Sequence, residues 1–145
     1  MRRTSILTAL AVSAIVSLAG VGVADEVWST DIGDVIYEAD LESGHAVLSY
    51  PTSEADIRGT VFLEGMAGVY TGRTGFEGVW IEPDLGAEGC GIEMVRPDTG
   101  ETSRVWGRAK LLFVDPDFPG SWIAIRGDCF DEPTETLVGR PITAQ

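Results

Sequence analysis

No stretch of this chain after Ala24 sustains the 3.6-residue apolar repeat of an amphipathic helix. Short apolar and aromatic segments alternate instead with turns rich in glycine, proline and aspartate, at spacings typical of all-β proteins. The segments that we predict to be strands are residues 27–29, 35–38, 45–50, 60–64, 68–71, 76–82, 89–95, 103–114 and 121–126. We therefore expect one all-β domain over residues 25–145, a small antiparallel meander barrel of about eight strands, with a β-sandwich as the alternative.

Residues 103–126 predict a regular hairpin, with a turn over residues 115–120. Because side chains alternate between the faces of a strand, this hairpin has an aliphatic face and a basic, aromatic face. The aliphatic positions are Val105, Ala109, Leu111, Phe113, Ile123 and Ile125. The opposite positions are Arg104, Trp106, Arg108, Lys110, Trp122 and Arg126. We expect the aliphatic positions to lie in the core and the opposite positions to lie on the outer surface.

The first 24 residues have the pattern of a cleaved signal peptide. Arg2 and Arg3 precede an apolar segment over residues 6–23, and Gly22 and Ala24 supply small residues before a cleavage point. A retained membrane anchor is the alternative, although the segment is barely long enough to cross a bilayer. We therefore expect a periplasmic or secreted protein.

The remaining chain is strongly acidic. All 23 acidic residues but only eight of the ten basic residues follow residue 24, which gives that part a net charge of −15. Such a charge repels nucleic acids and anionic membrane surfaces, and it favours a cationic partner. Solubility alone is another explanation for the same composition.

Cys90 and Cys129 are the two cysteines, and an even pair in an exported chain usually forms a disulfide. Closing a loop of this length would stabilise the fold by roughly 4 kcal/mol on the chain-entropy model. Because His45 is the single histidine, no conventional zinc ligand set can be assembled.

Glycine and aromatic residues recur in the run from Gly68 to Trp80, which contains Gly-Val-Tyr-Thr-Gly and Gly-Val-Trp, and again at Gly120-Ser121-Trp122. This spacing resembles the hairpins of small meander barrels such as the avidin-like and other calycin-type proteins. The chain as a whole is also similar to small exported bacterial β-proteins without an assigned function. The resemblance implies a barrel, and it places no ligand residue of the avidin family on this chain.

The basic, aromatic face of the hairpin is the predicted binding surface. Its residues are Arg104, Trp106, Arg108, Lys110, Trp122 and Arg126. Indole rings stack on flat or sugar-like ligands and guanidinium groups pair with carboxylates, so an anionic or carbohydrate ligand would suit this face. A solvated outer face with cross-strand ion pairs is the alternative. If Trp80, Trp106 and Trp122 instead line the barrel interior, they form a ligand cavity.

Other chemistry has weaker support in the sequence. Asp115 with Asp117, or Asp128 with Asp131 and Glu132, could ligate calcium, but neither set matches an EF-hand, and we expect no metal site and no cofactor. The chain contains neither a Gly-x-Ser-x-Gly elbow nor a phosphate-binding loop. We therefore expect a non-catalytic binding or inhibitor-type module for a basic protein partner, with a calycin-type small-ligand carrier and a carboxylate-dependent hydrolase as the alternatives.

Overall fold

A computed structural model describes residues 26–142 as strands and connecting loops, without a helix. The predicted signal peptide over residues 1–24 lies outside the described residues. The strands are β1 (Val27–Thr30), β2 (Gly33–Asp40), β3 (His45–Pro51), β4 (Arg58–Glu64), β5 (Gly75–Ile81), β6 (Met94–Val95), β7 (Thr102–Ser103), β8 (Trp106–Phe113), β9 (Trp122–Asp128) and β10 (Glu135–Pro141).

Eight of these strands form a closed barrel in the order β1-β10-β9-β8-β5-β4-β3-β2. Every pairing in the barrel is antiparallel and, apart from the closing β1–β10 pair, joins strands that follow one another around a meander. The predicted meander barrel is confirmed. The strands β6 and β7 form a separate two-stranded sheet within residues 82–105, here called the excursion, which leaves the barrel after β5 and returns at β8.

The interior of the barrel is filled from alternate positions of the strands, as the period of two requires. The large buried side chains of this inner core are Trp28, Tyr37, Leu48, Tyr50, Leu63, Trp80, Leu111, Phe113 and Trp122. Edge-to-face contacts join Trp28 to Phe113 and to Trp122 at centroid distances of 6.5 and 6.0 Å. This aromatic packing fills one end of the barrel, where β1 and β9 begin and β8 ends.

Glycine allows three interior rings to lie directly on a neighbouring strand. The cross-strand partners are Tyr50 with Gly59, Trp80 with Gly107 and Trp122 with Gly139. A Cβ atom at any of these glycines would come within 2.3 Å, 2.6 Å or 2.2 Å, respectively, of the partner's ring. The sequence therefore pairs each of these rings with the residue type that permits such a close approach.

A second apolar cluster lies on the outer face of the barrel. It contains Val47, Phe62, Ile81, Cys90 and Trp106. The excursion covers this cluster. The indole N–H of Trp106 donates to the carbonyl of Ile92 in the excursion at 3.0 Å. The Cys90–Cys129 disulfide links the excursion to the end of β9, as predicted.

The predicted faces of the hairpin are confirmed for β8 and wrong for β9. Ala109, Leu111 and Phe113 lie in the inner core as expected, and Val105 packs partly buried against it. Trp106 lies on the opposite face, as its position predicts, but the excursion buries it.

In β9, Trp122 lies inside and Ile123 is exposed, which reverses the prediction. The physical reason is register, because the pairs Phe113–Trp122 and Leu111–Ala124 place even positions of β9 beside odd positions of β8. Directly opposed residues of an antiparallel pair share a face, so the aliphatic positions of the two strands lie on different faces.

A buried ion pair closes the aromatic-filled end. Arg73 donates from Nη1 and Nη2 to the two carboxylate oxygens of Glu26 at 2.6 and 2.7 Å, and the side chains are 2% and 3% exposed. The guanidinium also lies 5.0 Å from the ring centroid of Phe113. Both charges are therefore fully desolvated, and each depends on the other.

Replacing Glu26 by glutamine should destabilise the protein by roughly 3–5 kcal/mol, because it leaves the Arg73 charge buried without a counterion. Urea unfolding of the folded chain measures this change. The control is Glu77→Gln, which breaks the pair between Glu77 and Lys110. Their side chains are 73% and 54% exposed, respectively, so this substitution should change stability by at most about 1 kcal/mol. Equal effects of the two substitutions would contradict the role of the buried pair.

Cys129→Ser should lower the free energy of unfolding by roughly 4 kcal/mol, because the unfolded chain loses its cross-link and the excursion loses its attachment to β9. Thermal unfolding under oxidising conditions measures the change. Wild-type protein that has been fully reduced serves as the control and should resemble the variant. An unaltered melting temperature would show that the bridge adds nothing to stability.

Candidate ligand-binding site

A cavity of about 160 Å³ lies inside the barrel, towards the end bordered by the β1–β2 turn and the β9–β10 loop. Its walls are mainly apolar. The aliphatic wall residues are Val35, Leu48, Val61, Leu63, Ala109, Leu111, Ala124 and Leu137. An apolar cavity of about 150 Å³ is large enough to bind a molecule the size of benzene.

Three aromatic side chains complete the walls: Tyr50, Trp80 and Trp122. These are the same rings that lie over glycines of the neighbouring strands. Each ring occupies the space above a glycine that a larger side chain would fill. The ring therefore lies against the barrel wall and does not extend across the interior. The aromatic–glycine pairs thereby leave space between the walls.

The mouth of the cavity is polar and charged. Asp31, Arg126 and Glu135 line it, together with the half-exposed side chain of Ile32. The guanidinium of Arg126 lies 5.0 Å from the ring centroid of Trp80 and 5.8 Å from that of Tyr50. The site thus combines an apolar interior with a mouth that can contact a polar group.

Two carboxylates hold Arg126 in this position. Its Nε donates to Glu135, and its Nη1 lies 3.7 Å from an oxygen of Glu82. The hydroxyl of Tyr50 donates to the same Glu82 oxygen at 2.9 Å. A phenol, a guanidinium and two carboxylates from four different strands or loops therefore form one network at the mouth.

This network fixes the charge of its members. Burial, followed by the nearby Glu82 carboxylate, raises the pKa of Tyr50 far above its usual value, so the phenol stays neutral and remains a donor. Burial alone would lower the pKa of Arg126, but the Glu135 and Glu82 carboxylates outweigh it and the pKa is raised. Arg126 is therefore a permanent cation over two aromatic rings.

Trp122 has an unusual feature for a wall residue. Its indole nitrogen is fully buried and has no hydrogen-bond acceptor among residues 26–142. The indole nitrogens of Trp28, Trp80 and Trp106, by comparison, donate to the carbonyls of Gly120, Gly127 and Ile92. A buried donor without an acceptor costs about 1–3 kcal/mol, so this nitrogen lowers the stability of the fold.

The six residues predicted to form one binding surface are distributed over three places. Trp122, Arg126 and Lys110 are among the residues that line the cavity, although the ammonium of Lys110 pairs with Glu77 at 2.6 Å on the outside. Trp106 lies in the outer cluster.

The remaining two residues support loops. Arg104 donates to the carbonyl of Cys90 at 2.9 Å, and Arg108 donates to the carbonyls of Phe130 and Asp131 at 2.7 and 2.6 Å. The expectation of one continuous outer face is therefore wrong, whereas a ligand-binding role for Trp122 and Arg126 stays a prediction.

Sequence reasoning missed Tyr50 and Glu82. Tyr50 lies at an alternate position of β3 with Ala46 and Leu48, so the three side chains point to the same face. This alternation was the signal that could have placed Tyr50 inside the barrel. Glu82 directly follows β5, and nothing in its local sequence distinguishes it from other exposed acidic residues. Its partner Tyr50 is 32 positions away, and the pairing of β3 with β4 and of β4 with β5 brings the two together.

Within the described residues, no three histidine, cysteine, aspartate or glutamate side chains lie close enough to hold a metal ion. No helix within residues 26–142 has the length and apolar character needed to cross a membrane. A scan against protein-family models found no matching family, and searches of curated proteins and of solved structures found no significant match.

Proposed function

We propose that this protein is an exported, non-catalytic barrel that binds one small apolar molecule in its interior. The observation that carries this proposal is the apolar cavity between Tyr50, Trp80 and Trp122. This is the carrier function expected as an alternative from the sequence, with Trp80 and Trp122 in the wall and Trp106 outside it.

The size of the cavity supports a binding role. Protein interiors are close-packed, and voids larger than a water molecule are few. At about 24 cal/mol per Å³, a void of this volume lowers stability by on the order of 4 kcal/mol. A ligand that fills the cavity restores these lost contacts, and its binding is driven by the burial of its own apolar surface.

The Cys90–Cys129 disulfide suits an oxidising compartment. Together with the signal-like pattern of residues 1–24, it supports a periplasmic or extracellular location for the proposed carrier. Small molecules reach such a protein directly, without crossing an inner membrane.

The cavity supports this function better than an outer binding surface. The outer face predicted to bind an anionic or carbohydrate ligand required Trp106, Trp122 and four basic residues side by side, and these side chains lie in separate places. The expected module for a basic protein partner rested on the acidity of the chain alone. The acidity of the chain still favours cationic molecules. No observation in the described part of the chain favours the carboxylate-dependent hydrolase.

Benzene is the probe for the cavity. At ten times its dissociation constant, benzene should stabilise the folded protein by about 1.4 kcal/mol. For a domain of this size that corresponds to a rise of roughly 5 °C in melting temperature, measured by differential scanning calorimetry. Ala124→Phe places a ring inside the cavity and should abolish the rise, since Ala124 points inward from β9.

The matched control is Ile123→Phe, which places the same ring on the outer face one position away and should keep the benzene response. Leu137→Phe is a second inward substitution, for use if Ala124→Phe fails to fold. The proposal fails if benzene does not stabilise the wild type, or if the inward variants respond as strongly as the wild type.

A further inference from the structure

The mouth of the cavity carries more negative than positive charge. Asp31 and Glu135 line the mouth, and Glu82 contacts both Tyr50 and Arg126. Arg126 is the cation within this group, and the nearby Lys110 is paired with Glu77. Three carboxylates therefore face one guanidinium at the opening.

The surroundings strengthen this negative potential. The same end of the barrel carries Glu54 and Asp56 in the β3–β4 loop and Asp131 and Glu132 in the β9–β10 loop. The chain has a net charge of −13, so its long-range field also attracts cations. Low-dielectric walls concentrate such a field in a cleft and raise the local concentration of a cationic ligand.

The aromatic walls provide an observation that is independent of the carboxylates. The ring faces of Trp80 and Tyr50 border the mouth beside Arg126, and such faces attract positive charge. Farther inside, Trp122 is 2% exposed and its indole N–H has no acceptor among residues 26–142. The mouth of the cavity therefore favours a cation, whereas the Trp122 nitrogen has no accessible surface and offers a ligand no contact.

We infer that the ligand is a small amine, with an apolar one-ring or short-chain body inside the barrel and its ammonium group at the mouth. This inference rests on the proposed carrier function and names its ligand class. The ammonium donates to the carboxylates of Glu135 and Asp31. Glu135 is suited to this contact because its side chain is 62% exposed and a carboxylate accepts several hydrogen bonds besides the one from Arg126.

Three probes with the same phenyl ring and the same number of carbons test the head group: 2-phenylethylamine, its neutral alcohol analogue 2-phenylethanol, and phenylacetate. Calorimetric titration of the full folded protein at low salt and pH 7 measures their affinities. 2-Phenylethylamine should bind at least tenfold more tightly than 2-phenylethanol, and the carboxylate should bind most weakly. The advantage of the amine should shrink at 0.5 M salt, since salt screens charges near the surface.

Glu135→Gln should reduce 2-phenylethylamine affinity about five- to tenfold and leave 2-phenylethanol affinity unchanged. Asp31→Asn should act in the same direction. Glu77→Gln is the matched control, because it removes a carboxylate that pairs with Lys110 on the outer surface, and it should leave 2-phenylethylamine affinity as in the wild type. All three positions are exposed, so these variants should remain folded.

The outcomes separate this inference from the carrier function. Equal binding of the three probes, or tighter binding of the carboxylate, overturns the amine assignment while the cavity remains a binding site. Stabilisation by benzene without binding of any of the three probes also overturns the amine assignment. Failure of benzene and all three probes overturns both proposals.

Discussion

Close contact between aromatic rings and glycines determines the interior of this barrel. Tyr50, Trp80 and Trp122 each lie directly over a glycine of the adjacent strand, at distances that no side chain with a Cβ atom would permit. The interior of an eight-stranded barrel is just wide enough to be filled by side chains or to hold one small ligand. Here three of the largest side chains are accommodated against the wall, and a cavity lies between them.

The two ends of the barrel differ in a way that follows from this arrangement. At one end, Trp28, Phe113 and the buried pair of Arg73 and Glu26 fill the interior. At the other end, Arg126 lies over Trp80 and Tyr50 and is held by carboxylates on its outer side. The cavity therefore has one charged mouth, an apolar interior and a closed far end.

The outer cluster around Trp106 is a second apolar region that must be shielded from water. Phe62, Ile81 and Trp106 would expose a large apolar patch on the outside of the barrel if the excursion were absent. The disulfide joins Cys90 of the excursion to Cys129 after β9. The excursion is therefore anchored to the barrel at Cys90 as well as through β5 and β8, which it connects. Apart from Glu82 at its first position, which joins the network at the mouth, this layer covers the outer face and not the cavity.

The fold class was predictable because turn residues and the absence of a helical repeat are local properties of the sequence. The inner face of β8 was predictable for a similar reason, since Arg108 and Lys110 alternate with Ala109 and Leu111. The inner face of β9 was not, because Ile123 and Ile125 are more hydrophobic than the inward-facing Ala124 and Arg126. Its orientation depends on the register with β8, which the length and path of the 114–121 turn determine. The network at the mouth could not be predicted as a unit, because Tyr50, Glu82 and Arg126 come from separate parts of the chain, and only Arg126 and Glu135 are neighbours across one hairpin.

Rings held against glycines keep a cavity open in the barrel. Crystallography of the protein under xenon pressure tests this claim most directly, because xenon occupies apolar cavities of this size. The account predicts a xenon atom between Trp80, Leu111 and Trp122. Rings that cross the centre of the barrel, with no xenon inside it, would contradict the account.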